Sequence, residues 1–184
     1  MSNLSISKLI HIIKNNRRKK HLASLVKNGL KLGRNVDIIG DFFFDPSHCL
    51  LISIGDNCTI CPNVRLIAHD ASTKKFLGYT KIGKIDIRDN CFIGDSAIVL
   101  PDVTIGPNSI VGAGAVITND VPPKTVFAGN PARQIYSFET YIKKIERLMI
   151  NEKLFDQKYL IDKLNDERRE EMLESIKRGL GFIV

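Results

Sequence analysis

Four histidines and four cysteines are the side chains of this 184-residue chain that most readily move protons, attack electrophiles or hold metal ions near neutral pH. His11 and His21 lie in a basic N-terminal stretch. His48 sits near a turn, and His69 opens a polar run that continues through Asp70, Ser72, Lys74 and Lys75 to Tyr79. Cys58 and Cys61 form a C-x-x-C, but neither a second pair nor a histidine at zinc-finger spacing accompanies them, so no metal is expected there. Cys49 and Cys61 lack a recognisable partner base. Without a secretory signal to imply an oxidising compartment, all four cysteines read as free thiols.

The element that must position these groups is a repeat with a period of six. Aliphatic residues fall at Ile87, Ile93, Val99, Ile105, Val111 and Ile117, and glycine follows at 94, 106 and 112. Four residues after each aliphatic come Cys91, Ala97, Val103, Ser109, Ala115 and Val121, all small enough for a crowded inward slot. The same grammar occurs upstream at Ile54-Gly55-Asp56-Asn57-Cys58-Thr59, with Ile60 and Leu66 at the same interval and a looser register at Leu32 and Ile38. A helix requires apolar residues at intervals of three and four, and a half-buried strand at intervals of two. A six-residue beat fits neither. It reads as a short strand and a tight turn, with the aliphatic inside and the flanking Gly or Asn accepting unusual backbone angles. Three such units make one coil of a parallel β-helix, so Ile87 should stack on Ile105, Ile93 on Val111 and Val99 on Ile117. Cys58 and Cys91 occupy the small inward slot, where packing explains them better than reactivity. The beat does not fix the hand of the coil.

The repeat is interrupted between Leu66 and Ile87, so residues 69–81 are expected to project from a corner of the coils, as functional excursions commonly do. Pro122 and Pro123 end the regular ladder. Apolar residues at helical spacing in Glu139 to Ile150 and Glu152 to Lys177 suit helices capping the open end, and Ile6, Leu9, Ile10 and Ile13 suit a helix at the other. The chain therefore divides into a basic helical segment at 1–33, an all-β solenoid at 34–136 and a helical extension at 137–184.

Apolar residues at 43% and charged residues at 26% suit a globular chain rather than a disordered or membrane-spanning one. The net charge of +7 is local: Met1 to Arg34 holds nine Lys or Arg and no acid, leaving the remaining 150 residues at −2. Such an arm can touch an anionic membrane surface weakly or form a solvated helix face, and no nucleic-acid module accompanies it. The expected address is the cytoplasm, with residues 1–34 offering peripheral contact at the inner face of the membrane.

Three motifs in order carry a family resemblance: Val99-Leu100-Pro101-Asp102-Val103-Thr104-Ile105-Gly106, Val111-Gly112-Ala113-Gly114-Ala115-Val116-Ile117-Thr118-Asn119-Asp120 and Ala128-Gly129-Asn130-Pro131-Ala132-Arg133. Asp41 to Ile135 resembles the hexapeptide-repeat acetyltransferases, in the branch of galactoside, maltose and antibiotic acetyltransferases, and is similar to surface-polysaccharide O-acetyltransferases. The resemblance implies a left-handed β-helix and a homotrimer with acetyl-coenzyme A in the groove between neighbouring subunits, with no metal. It implies His69 as the general base that takes a proton from an attacking alcohol. For the donor it implies Asp95, Ala113, Thr118, Asn119 and Arg133, with Lys124 as a second cation; Asn119 stands where relatives often have lysine. For the acceptor it implies Asp41, in place of an amide. The activity it implies is O-acetylation of a saccharide hydroxyl, with N-acetylation of a nucleotide-linked amino sugar as the alternative. Asp70, adjacent to His69, cannot easily orient the same ring, so a partner from elsewhere is expected. A three-histidine zinc site between subunits is hard to assemble, because only His48 and His69 lie among the coils. Transfer through a cysteine is disfavoured by the inward direction of Cys58 and Cys91.

Overall fold

The computed structural model describes residues 6–184, with side chains from residue 16 onward. The side chains of Ile6, Leu9, Ile10 and Ile13 and most of the basic arm's first half lie outside the described side chains. A helix, α1, runs over Ile6–Lys27. No helix among the described residues is long and apolar enough to cross a membrane.

From Lys31 onward the backbone winds into a parallel β-helix with three faces. The first face stacks Lys31–Leu32, Ile52–Ile54, Ile85–Ile87 and Val103–Ile105. The second stacks Asp37–Ile38, Thr59–Ile60, Phe92–Ile93, Ile110–Val111 and Thr125–Gly129, and the third stacks Phe43–Phe44, Arg65–Leu66, Ile98–Val99 and Val116–Ile117. Ile87 pairs with Ile105, Ile93 with Val111 and Val99 with Ile117, as the six-residue beat predicts. The looser upstream register is also real, with Leu32 opposite Ile54 and Ile38 opposite Ile60.

These ladders are the core. Ile60, Leu66, Ile87, Ile93, Val99, Ile105 and Val111 are completely buried, and burial of each such side chain contributes about 1.5–3 kcal/mol. Cys91, Ala97, Val103, Ser109, Ala115 and Val121 fill the small inward slots. The buried Ser109 hydroxyl donates to the Pro122 carbonyl at 2.9 Å, so its polarity is satisfied. At the N-terminal end Leu25 and Leu30 complete the same core from the last turn of α1 and the residues after it.

The corners separate two roles that the sequence merges. Unusual angles belong mainly to asparagine: Asn35, Asn57, Asn63, Asn90 and Asn108 all adopt the left-handed region, with φ between 53° and 59°. The glycines that follow the aliphatics serve close approach instead. A Cβ on Gly94 would lie 2.5 Å from the Ala113 amide nitrogen, and one on Gly106 2.5 Å from that of Pro123. After Pro122 and Pro123 the ladder ends in an antiparallel pair, Thr125–Gly129 with Ala132–Ser137.

Residues 139–184 belong to a second compact unit. Besides α2 (Lys74–Leu77) in the coil region, the remaining helices are α3 (Phe138–Asn151) and α4 (Asp166–Ser175). The helical stretch expected from Glu152 to Lys177 is largely not one. Lys153–Phe155 pairs in parallel with Gly181–Ile183, Phe155 is buried, and α4 starts only where Asn165 caps the Arg168 amide at 2.9 Å.

Candidate active site

Two departures from the beat create the site, and both occur at the corner leading from the third face to the first. Phe44 and Ile54, equivalent positions on successive faces, are ten residues apart instead of six. Leu66 and Ile87 are twenty-one apart. The extra residues belong to adjacent coils, so they emerge one above the other.

The first insertion carries Asp45 and His48. Asp45 still begins on the ladder, its amide donating to the Leu66 carbonyl at 2.9 Å, and then the chain turns at Pro46. Its carboxylate is fully buried: Oδ1 accepts the Ser47 amide at 3.1 Å, and Oδ2 is in direct hydrogen-bond contact with Nδ1 of His69. His48 precedes a single 3-10 turn, Cys49–Leu51, and its Nδ1 lies 3.5 Å from the same Oδ2. The two imidazole rings are 5.0 Å apart and inclined by 38°.

The second insertion is a hairpin, with His69–Asp70 antiparallel to Lys81–Ile82 and α2 at its tip. Gly83 lets the returning strand rejoin the coils, since a Cβ there would meet that of Asp102 at 2.8 Å. Asp70 accepts the Ser72 amide at 2.9 Å and pairs with Lys81 at 3.4 Å, contacts that hold its carboxyl below the usual range. It is thus engaged away from His69, and the orienting partner that the sequence leaves open is Asp45.

The electrostatics follow from this arrangement. Burial pushes the Asp45 carboxyl up, but the hydrogen bond and charge of His69, the Ser47 amide and His48 together outweigh it and hold Asp45 below its ordinary value. Asp45 is therefore an anion, and it faces Nδ1 of His69 as a hydrogen-bond acceptor, which leaves Nε2 as the ring nitrogen not engaged by this carboxylate. His69 keeps about a third of its side-chain surface exposed, so the ring is accessible. An oriented base is what the geometry can supply. Asp45, His48 and His69 offer three ligand atoms within 4.8 Å, but direct contact between Asp45 and His69 is hydrogen-bond spacing, tighter than two ligands of a common ion at about 2 Å from the metal would sit.

The sequence-predicted donor residues fall on different corners. Thr118 and Asn119 share the corner of His69, lining an open polar groove with Lys81, Pro101, Asp102 and Asp120. Asp95 and Ala113 stack at the corner between the second and third faces, where the Gly114 amide donates to the Asp95 carbonyl at 2.7 Å. The Asp95 carbonyl is thus engaged within the coils rather than open to a ligand. Asp41 lies on that same corner, exposed, with its carbonyl accepting the Asn63 amide at 2.6 Å. Lys124 occupies the remaining corner in a left-handed conformation, and Arg133 is exposed on the terminal antiparallel pair, its Nη1 donating to its neighbour's carbonyl at 2.8 Å. One chain brings together His69, Thr118 and Asn119 on one edge and Asp41, Asp95 and Ala113 on another.

Three of the four thiols are buried against backbone carbonyls. Cys58 and Cys91 are buried, their thiols directed at the carbonyls of Arg88 and Gly106 at 3.1 Å, and Cys49 is buried against the Leu25 and Asn28 carbonyls. Burial pushes the Cys61 thiol up, away from a reactive thiolate.

Comparison with known proteins agrees with this architecture. The family described as bacterial transferase hexapeptide (six repeats) matches residues 84–119. Protein CapG of Staphylococcus aureus is 40% identical over 133 residues, covering 66% of this chain and 76% of that protein. Galactoside O-acetyltransferase of Escherichia coli K12 is 37% identical over 112 residues, covering 56% of this chain and 54% of the enzyme, so the chain spans about half of that relative's length. The solved structure of a galactoside acetyltransferase in complex with coenzyme A superimposes with a TM-score of 0.51 at 26% identity, covering 68% of this chain and 73% of that one. With its three-faced coil of six-residue repeats, left-handed in this fold class, the chain belongs to the hexapeptide-repeat acetyltransferase family.

Proposed function

We propose that this protein moves an acetyl group from acetyl-coenzyme A to a hydroxyl of a saccharide, such as a unit or precursor of a surface polysaccharide, with His69 as general base. The observation that carries the reading is the Asp45–His69 pair: a buried carboxylate fixes one ring nitrogen and leaves the other to take a proton. The acceptor hydroxyl passes its proton to Nε2 of His69 as its oxygen bonds to the thioester carbon. When the carbon–sulfur bond breaks, the imidazolium returns that proton to the departing thiolate. No enzyme-bound acyl group is formed, in keeping with the burial of Cys49, Cys58 and Cys91 and the raised thiol of the half-buried Cys61.

The coenzyme would lie along the groove of Thr118 and Asn119 in one subunit and meet Asp95, Ala113 and Asp41 from the facing edge of a neighbour in a homotrimer. This accounts for predicted ligand residues standing on separate corners of one chain. The exposed Arg133 and Lys124 would face the phosphates. Galactoside O-acetyltransferase among the relatives supports a sugar acceptor.

The test is an assay of purified protein with labelled acetyl-coenzyme A against separate panels of hydroxyl sugars and amino sugars, the latter including nucleotide-linked ones. Transfer to a hydroxyl is expected. Transfer to amino sugars alone would replace this reading by N-acetylation, and label retained on the enzyme without acceptor would overturn direct attack.

A further inference from the structure

We propose that His48 is a positioning residue that shares the Asp45 carboxylate with His69 and thereby keeps His69 unprotonated to lower pH than Asp45 alone would allow. The inference rests on the reading of His69 as the base.

Three observations carry it. Oδ2 of Asp45, already taken by Nδ1 of His69, has Nδ1 of His48 at 3.5 Å. That His48 nitrogen is buried and has no hydrogen-bond partner among the described residues, where the Asp45 charge is its polar neighbour. The ring centroids stand 5.0 Å apart.

One buried carboxylate balances one imidazolium. A proton arriving at this cluster can reside on either ring, and a second would place two positive charges side by side with a single counter-charge. The two rings must then titrate as a coupled pair, in which a proton held by His48 opposes one on His69. Replacing His48 by a neutral side chain removes the competitor and gives His69 the whole of Asp45. Its proton would be held to higher pH, and the range in which it serves as a base would shrink from the acidic side.

Among the described residues, the titratable and charged groups around His48 come from its own turn, the hairpin and the neighbouring cysteine. Asp45 comes from its own turn and His69 from the hairpin. Cys49 turns its thiol to the Leu25 and Asn28 carbonyls, and Asp70 and Lys81 pair with each other. Those neighbours change neither the sign of the coupling nor the identity of the shared carboxylate.

Nuclear magnetic resonance titration of the imidazole Cε1–H signals tests this without an acceptor. The four histidines can be assigned by single substitutions. In the wild-type protein the His48 and His69 signals should each report both titration steps. In His48→Gln, and in His48→Asn as a second variant, His69 should titrate in one step with its midpoint raised by roughly half a unit or more. A His69 midpoint that stays within about 0.2 unit of wild type in the folded variants would overturn the proposal, as would independent single-step curves in the wild type. Failure of the base reading is a separate result: unchanged turnover in His69→Ala removes His69 from the chemistry, whatever the titrations show.

Discussion

The coils from Ile85 to Asp120 and the corner shared by Asp45 and His69 are built from the same repeat to opposite ends. In the former, each aliphatic stacks on its counterpart, each small slot is filled, and left-handed Asn90 and Asn108 turn the same corner of successive coils alike. At the latter, two adjacent coils carry extra residues at one corner, and a buried acid meets two imidazoles. The faces cannot absorb insertions, because one added residue would turn every inward side chain of a strand outward. A corner can, since loop closure grows only slowly with length. The solenoid therefore offers chemistry where its repetition fails, and stacking of adjacent coils lets a residue of the first insertion meet one of the second, 24 positions away in sequence.

The contrast is broken most severely at His69. His69→Ala should reduce turnover by about 10² to 10⁴ with circular dichroism and oligomeric size unchanged, because the ring is only half-buried and lies outside the hydrophobic core. Unchanged turnover, measured by thiol release from acetyl-coenzyme A with an active acceptor, would reduce the insertions to decoration.

Asp45→Asn should act on both sides of the comparison. The amide cannot hold Nδ1–H of His69 as an anion does, so turnover should fall by roughly tenfold to a hundredfold. Stability should respond to pH as well. The Asp45 carboxyl is held below its ordinary value of 3.8 in the folded chain, so its contribution is present above that value and is lost as pH falls through the folded one. Denaturant unfolding between pH 5 and 2 should show a shallower acid loss in the variant. Equal slopes would mean that the pairing contributes nothing to folding.

Gly94→Ala tests the regular coils. Its Cβ would meet the backbone of Gly112 and Ala113, with the Ala113 nitrogen at 2.5 Å, and a stacked backbone cannot move aside as a flexible side chain can. A loss of about 1–3 kcal/mol is expected in denaturant unfolding. Gly114→Ala separates space from angle, since it has nothing within 4 Å but a φ of +67°. A cost at Gly94 smaller than at Gly114 would mean that the coils are looser than their stacking implies.

How much of this was legible in the sequence depends on the range of each cause. The ladders were, because hydrogen bonding between coils forces the residues of one beat onto the next, and Ile87 with Ile105 needs no other information. The hairpin was legible as a gap in the beat. Asp45 was not, although it follows Phe44 immediately: its burial and its pairing with His69 depend on how two insertions 24 positions apart fold at one corner, which the beat does not encode. The apolar residues of 152–177 misled because Phe155 is buried in a strand pair whose partner, Gly181–Ile183, lies beyond the stretch that shows helical spacing. The glycines misled in a subtler way, since sequence marks where one is needed without saying whether for angle or for room.

That last distinction sets the smallest test. Asn90 turns its corner at φ 57°, and its amide donates to the Asp56 carbonyl at 2.9 Å, a bond that any residue but proline could make. What asparagine supplies is tolerance of the left-handed region, which costs a Cβ-bearing residue roughly 1–2 kcal/mol and an asparagine less. Asn90→Ala should therefore lower stability by about 1 kcal/mol, whereas Asn90→Gly should stay within about half of that, because glycine gains at the corner what it loses in the unfolded chain. Neither should alter turnover, as the residue sits at the corner between the first and second faces, away from His69. If alanine were as well tolerated as glycine, the corner asparagines would owe their place to side-chain contacts rather than to backbone angle.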